Sequence, residues 1–120
     1  MELDKNQHSI YSINYHLVMV VKYRRKVISD EISGYLRATF ERIRVELKEW
    51  NHDKDHVHAL FKCDLQIAPA KFINAYKSAS SRLVKKNYPE IKQYLWKDTF
   101  WTKSYCLIST GGVSIDVIKN

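Results

Sequence analysis

His56-Val57-His58 places two imidazoles at alternate positions of a short apolar segment. If that segment is a strand, residues i and i+2 project to one side of the sheet. Both rings then stand together, while Val57, Ala59 and Phe61 face the other way. Two neutral imidazoles on one rigid strand are half of a divalent-metal site. Asp55, just before them, can orient a ring through its second nitrogen. The spacing alone is also that of two surface histidines on a half-exposed strand. A zinc reading that adds His52 or Cys63 meets an obstacle, because a regular strand puts Cys63 on the opposite face. A second segment begins at Pro69. Phe72, Tyr76, Ala79 and Leu83 recur there as an apolar helical stripe, and Lys71, Asn74, Ser78, Ser81, Arg82 and Lys85 lie opposite, with Lys77 close by. Small hydroxyl residues let a phosphate backbone approach and the cations neutralise it; the same pattern describes an ordinary solvated helix face. In a third segment Tyr94, Trp96, Phe100, Trp101 and Tyr105 interleave with Lys92, Lys97 and Lys103. That mixture suits unstacked bases, although core packing is the expected role of Trp96 and Trp101.

These residues need elements to hold them. Ser9 to Val21 alternates Tyr11, Ile13, Tyr15, Leu17, Met19 and Val21 on one face, which predicts a long strand. Ser29 offers an N-cap, with Asp30 and Glu31 in the first turn where the helix dipole favours negative charge. Ile32, Tyr35, Leu36, Phe40 and Ile43 then predict a helix from about Asp30 into the low forties. The period switches to two at Ile43, Val45 and Leu47, giving a strand from about Val45 to Trp50, with a junction near Arg44 that is tight or shortened. Asn51 to Asp55 is a turn, and His56 to Cys63 a third strand in an antiparallel hairpin with the second. Pro69 suits the first turn of a helix reaching about Lys86. An irregular stretch from Tyr88-Pro89 leads to a fourth strand, Ser104 to Thr110, and a Gly111-Gly112 turn. Ser114 is expected to cap a last helix that stops after Asn120 with barely two turns, marginal for any helix; the chain is expected to be cut short there. The order strand, helix, strand, strand, helix, strand predicts an α+β, ferredoxin-like antiparallel sheet with helices on one face.

The whole is 120 residues, a length for one domain spanning residues 1–120. Hydrophobic residues at 45% and charged residues at 28%, with only 3 Gly and 2 Pro, exclude disorder and flexible linkers as the main state. The longest apolar run, Leu17 to Val21, is too short for a membrane span, and Met1 to His8 does not open a signal peptide. Cys63 and Cys106 stand far apart and form no disulfide framework, which predicts a reducing, cytoplasmic setting. The net charge is +7. Lys71 to Lys103 holds eight basic residues against two acidic ones, and Lys22, Arg24, Arg25 and Lys26 form a second cluster. Such an excess favours a polyanion partner, most often nucleic acid.

Several blocks in order carry a family resemblance: Tyr15-His16-Leu17-Val18 leading to Lys22-Tyr23-Arg24-Arg25-Lys26-Val27, Trp50 through His58, Phe72 through Arg82, and Leu95-Trp96-Lys97 with Phe100-Trp101 and Tyr105. Together they resemble the single-tyrosine HUH transposases of the IS200-like group. The resemblance implies cutting and rejoining of single-stranded DNA at hairpin-bearing transposon ends. It implies magnesium or manganese on His56 and His58, a 5′-phosphotyrosine intermediate, and a homodimer. The DNA-contacting set is expected to be Arg24, Arg25, Lys71, Lys77, Ser78, Ser81, Arg82 and Lys85. The attacking tyrosine of the resembled family would fall immediately after Asn120. None of the eight tyrosines present matches its position, so residues 1–120 are expected not to cleave. The missing tyrosine and the short junction near Arg44 fit a shortened or a decaying copy. The rival expectation is a ferredoxin-like module that holds single strands and never cuts.

Overall fold

The computed structural model describes residues 12–43, 45–64, 68–110 and the backbone of 114–116. Strand β1 (Ser12–Val20) alternates half-buried and buried residues through its second half, with Tyr15, Leu17 and Met19 inward. Helix α1 (Asp30–Glu41) opens on Ser29, whose Oγ accepts the amide of Ile32 at 3.1 Å, and carries Asp30 and Glu31 in its first turn. Strands β2 (Glu46–His52) and β3 (His56–Asp64) form the expected hairpin. Helix α2 (Pro69–Asn87) starts with Pro69 at its N-terminus, where the missing N–H costs nothing. A 3-10 segment (Pro89–Tyr94) follows, then β4 (Cys106–Ser109) and β5 (Ser114–Asp116).

The strands form one antiparallel sheet in the order β2-β3-β1-β4-β5. Its first four strands have the ferredoxin-like order, so the α+β class expected from the alternation of elements is the one observed. The odd-numbered face of β1 and β3 is covered by both helices. Phe40 of α1 and Phe72 of α2 meet Phe61 of β3 with ring centroids 5.5 and 5.3 Å apart. Phe40 touches Tyr76 edge-on at 5.1 Å, which joins the helices to each other. Burying such aromatic surface is the main term holding the layers together. The opposite face, with His16, Val18, His56, His58 and Leu60, stays half-buried.

Four local expectations are corrected. Ser114 does not begin a helix: Ser114–Asp116 pairs with Cys106–Ile108 as an edge strand. The β-branched Ile115 favours extended backbone, and the pairing covers the otherwise open edge of β4. The later residues of that expected helix lie outside the described residues, as do Ser9 to Tyr11 and Arg44. The fourth strand is shorter than Ser104–Thr110, beginning at Cys106. In β2 the register shifts between Leu47 and Glu49. This bulge lets both Leu47 and Trp50 pack on the helix side, and carries the strand two residues further, to His52. The apolar stripe of α2 is rotated by one position, with Ile73, Tyr76, Ser80 and Val84 buried. Ser80 is inside because its Oγ accepts the indole N–H of buried Trp101 at 2.9 Å. Replacing Ser80 by Ala leaves that N–H without its acceptor. We expect a loss of about 1–2 kcal/mol in urea unfolding. Trp101→Phe added to it should cost less than the sum of the single changes, because both polar partners are then gone.

Candidate functional site

His56 and His58 lie on the face of β3 away from the helices, and the alternation Val57, Ala59, Phe61 that fills the core is what turns them there. In the register of the sheet His58 sits opposite Val18 on one side and Asn51 on the other. Asp55, at the end of the hairpin turn, reaches the Nδ1 of His56 at 2.8 Å through its Oδ1. That contact leaves Nε2 of His56 to point elsewhere. The His56 hydrogen bond, with the Arg24 charge beside it, holds the Asp55 carboxyl below its ordinary range despite burial that opposes this. Arg24 Nε stands 3.8 Å from Asp55 Oδ2, which links the basic cluster after β1 to the histidines. An open depression of about 440 Å³ is lined by Val18, Asn51, His52, Asp53, His56 and His58.

A third imidazole belongs to this group. His16 Nδ1 is 3.0 Å from His58 Nε2, and the rings stack with centroids 5.2 Å apart and planes 7° from parallel. One ring must donate its N–H and the other accept it. Burial, then the neighbouring His16 charge, pushes the His58 pKa down, with Glu49 opposing; His58 therefore favours its neutral form, with Nε2 engaged by His16 and Nδ1 the ring nitrogen left to a ligand while that pairing holds. His16 was not singled out from the sequence as a site residue. Its even position on β1 places it on the correct face, but only the β1–β3 register brings it diagonally beside His58.

Asp53, Asp55 and His56 offer ligand atoms all within 4.8 Å of one another. Imidazole and carboxylate donors of this kind suit a small divalent ion, so the donors present fit the expected cofactor class. The zinc alternative gains nothing. Cys63 is buried on the opposite face, and both ring nitrogens of His52 are taken, by Asp30 Oδ1 and by the Asp53 carbonyl, each at 3.0 Å.

The helix residues gather separately. Ser78, Ser81, Arg82 and Lys85 share an open groove of about 600 Å³ with Lys86, Lys92 and Asp98. A second groove of about 310 Å³ continues from it past Lys77 to Thr102 and Lys103. Lys85 Nζ donates to the Asp98 carbonyl at 2.7 Å, and Lys77 Nζ to the Lys103 carbonyl at 2.6 Å. Burial lowers the Lys77 pKa. Arg82 is exposed. Lys71 lines neither groove, and Arg24 and Arg25 lie apart, by the end of β1. Of the other groove walls, the sequence offers Lys92 and Lys103 only as cations among the aromatics and Lys86 only as charge. Lys86 stands on α2 itself, and Lys92 and Lys103 reach the grooves because the segment from Lys92 to Lys103 folds back against that helix.

This architecture defines a class: small α+β proteins with a histidine pair on the outer face of a ferredoxin-like sheet and a cationic groove along one helix. Within it the chain belongs to the IS200-like transposases, since the family described as "Transposase IS200 like" matches residues 9–120. It is 33% identical over 113 residues to the ISDra2 transposase TnpA of Deinococcus radiodurans, across 91% of this chain and 81% of that protein. It is 25% identical over 108 residues to the transposase for insertion sequence element IS200 of Salmonella typhimurium, across 87% and 71%. A crystal structure of a transposase from Deinococcus radiodurans superposes with a TM-score of 0.73 at 31% identity, covering 82% of this chain and 78% of that one. As a transposase the chain acts on DNA. Among the described residues no helix is long and apolar enough to cross a membrane.

Proposed function

We propose that this transposase acts on single-stranded DNA folded into hairpins at transposon ends, as a cytoplasmic homodimer, through a 5′-phosphotyrosine link formed with magnesium or manganese. The observation that carries the reading is the His56–His58 pair, with Asp55 orienting His56 by its Nδ1. His56 and His58 would hold the ion, and Asp53 lies close enough to add a carboxylate. A divalent ion held there supplies Lewis acidity toward a phosphate oxygen. Asp55 fixes the tautomer of His56, keeping Nε2 available. Arg82 and Lys85, with the small Ser78 and Ser81 in the same groove, receive the phosphate backbone. Arg24 contributes a cation beside the histidines through Asp55, and Arg25 follows it in the same basic cluster.

The attacking tyrosine is assigned to the position after Asn120. Burial argues against three of the described tyrosines, while Tyr23 and Tyr94 are exposed and are set aside only because the resemblance puts the nucleophile elsewhere. Tyr15, Tyr76 and Tyr105 are buried, and burial raises the pKa of each, which disfavours the phenolate a nucleophile needs. Tyr35 and Tyr88 pair with each other at 5.7 Å.

The test compares a labelled single strand bearing a hairpin with plain duplex, by anisotropy. Hairpin strands should bind more tightly, because an antiparallel sheet offers no long recognition helix for a duplex groove. Equal affinity for duplex would overturn the reading. With manganese, residues 1–120 should form no denaturation-resistant protein–DNA link; such a link would move the nucleophile to a tyrosine within the chain.

A further inference from the structure

Tyr23 and Trp96 are large aromatic side chains left outside the core, 60% and 36% exposed. Their rings meet edge to face, with centroids 5.2 Å apart and planes at 89°. Lys22 Nζ lies 5.2 Å from the Tyr23 centroid and 5.6 Å from that of Trp96, and Lys97 Nζ lies 4.7 Å from Trp96. Core packing, the role expected for Trp96, is therefore not what it does. Trp101, five residues on, is buried as expected.

The backbone is bent out of its ordinary range to present this pair. Tyr23, Arg24, Lys97 and Asp98 have φ of 57°, 53°, 48° and 61°. Non-glycine residues in the left-handed region carry a conformational cost, and such strain gathers at sites of function. Both turns are fastened down. Lys22 N donates to the Phe100 carbonyl at 2.8 Å, Arg24 N to the Val21 carbonyl at 2.7 Å, and Thr99 N to the Trp96 carbonyl at 2.9 Å. The two rings are thus held by well-anchored loops and not by burial.

We propose that Tyr23 and Trp96 form a stacking platform for one unpaired base of a single-stranded nucleic acid. The proposal rests on the reading that this chain binds single strands, and assigns a subsite within it. An aromatic face accepts any base, and cations beside it neutralise the flanking phosphates. Exposed cation–π contacts are weaker than a base stacked on the same ring, so Lys22 and Lys97 can swing from ring to phosphate. The nearby carboxylates do not oppose this, since Asp55 faces Arg24 and Asp98 faces Lys85. Those same pairs connect the loops that carry the rings to the two candidate sites. Arg24 follows Tyr23 and leads to Asp55 and the histidines; Asp98 lies two residues from Trp96 and leads to the α2 groove.

The experiment titrates wild type, Trp96→Phe, Trp96→Ala and Tyr23→Ala with a hairpin carrying a short thymidine flank, and repeats this with single thymidines replaced by abasic spacers. Binding should quench wild-type tryptophan fluorescence, and Trp96→Phe should bind within about twofold yet lose most of the quench. Trp96→Ala should weaken binding about tenfold. One abasic position should cost wild type about the same factor and Trp96→Ala almost nothing. Tyr23→Ala should fall between. Salt-dependent binding by wild type with no abasic penalty and no quench overturns the platform alone. No binding of single strands by wild type overturns the platform and the functional reading together. Should Trp96→Ala unfold, the Trp96→Phe quench and the abasic scan on wild type decide the matter.

Discussion

Replacing His56 and His58 together by Ala should abolish saturable manganese binding, a loss of at least about a hundredfold relative to the wild-type chain. Removing an outer-shell partner of a metal ligand alone typically costs about ten- to a hundredfold, and the ligands themselves cannot contribute less. Asp55→Asn should fall within that outer-shell range, because it leaves both imidazoles but frees His56 to turn. Wild-type affinity should be modest, since two imidazoles and nearby carboxylates leave positions open to water. Both histidines are half-buried on the outer face of the sheet, so the double variant should fold, which circular dichroism checks. Calorimetry or manganese resonance gives the affinities. An unchanged titration in the double variant would place the ion on other carboxylates and leave the histidines as surface residues.

The second large effect lies on α2. Replacing Arg82 and Lys85 by Ala should weaken single-stranded DNA binding about ten- to a hundredfold at low salt, nearly alike for all sequences. The argument is counterion release. If about four phosphates are neutralised, the log–log dependence of affinity on salt for a single strand is roughly −3. Removing two cations should bring that slope toward zero by between about one and two. Arg82 should account for most of this, because it is exposed while Lys85 already shares its ammonium with Asp98. Lys71→Ala should change little, since Lys71 lines neither groove. Affinities measured at several salt concentrations settle the slope, and a slope unchanged in the double variant would count against the α2 groove as the phosphate path.

Particular residues show how far the sequence alone reaches. Alternation in β1 and β3, the Ser29 cap with Asp30 and Glu31, and Pro69 at a helix start are local signals, written in neighbouring residues, and the elements they predicted are present. The order of those elements carried the ferredoxin-like topology. Side-chain alternation also put His56 and His58 on one face before any register was known, and Asp55 beside them. The blocks from Tyr15 to Tyr105 pointed to the family. Other features depend on which segments meet. His16 joins His58 only because β1 pairs with β3 in one register, a contact across 42 residues of chain. The inward turn of Ser80 follows from the distant indole of Trp101. The phase of β2 changes at a bulge that no neighbouring residue announces. Ser114 looked like a helix cap by its own chemistry, but the edge of β4 supplies hydrogen bonds that make it a strand. Trp96 and Trp101 both follow an apolar residue, yet Trp101 is buried against Phe100 with its indole bonded to Ser80, while Trp96 is exposed. Each of these outcomes is fixed by partners distant in sequence, where pairing register and hydrogen-bond satisfaction outweigh local preference.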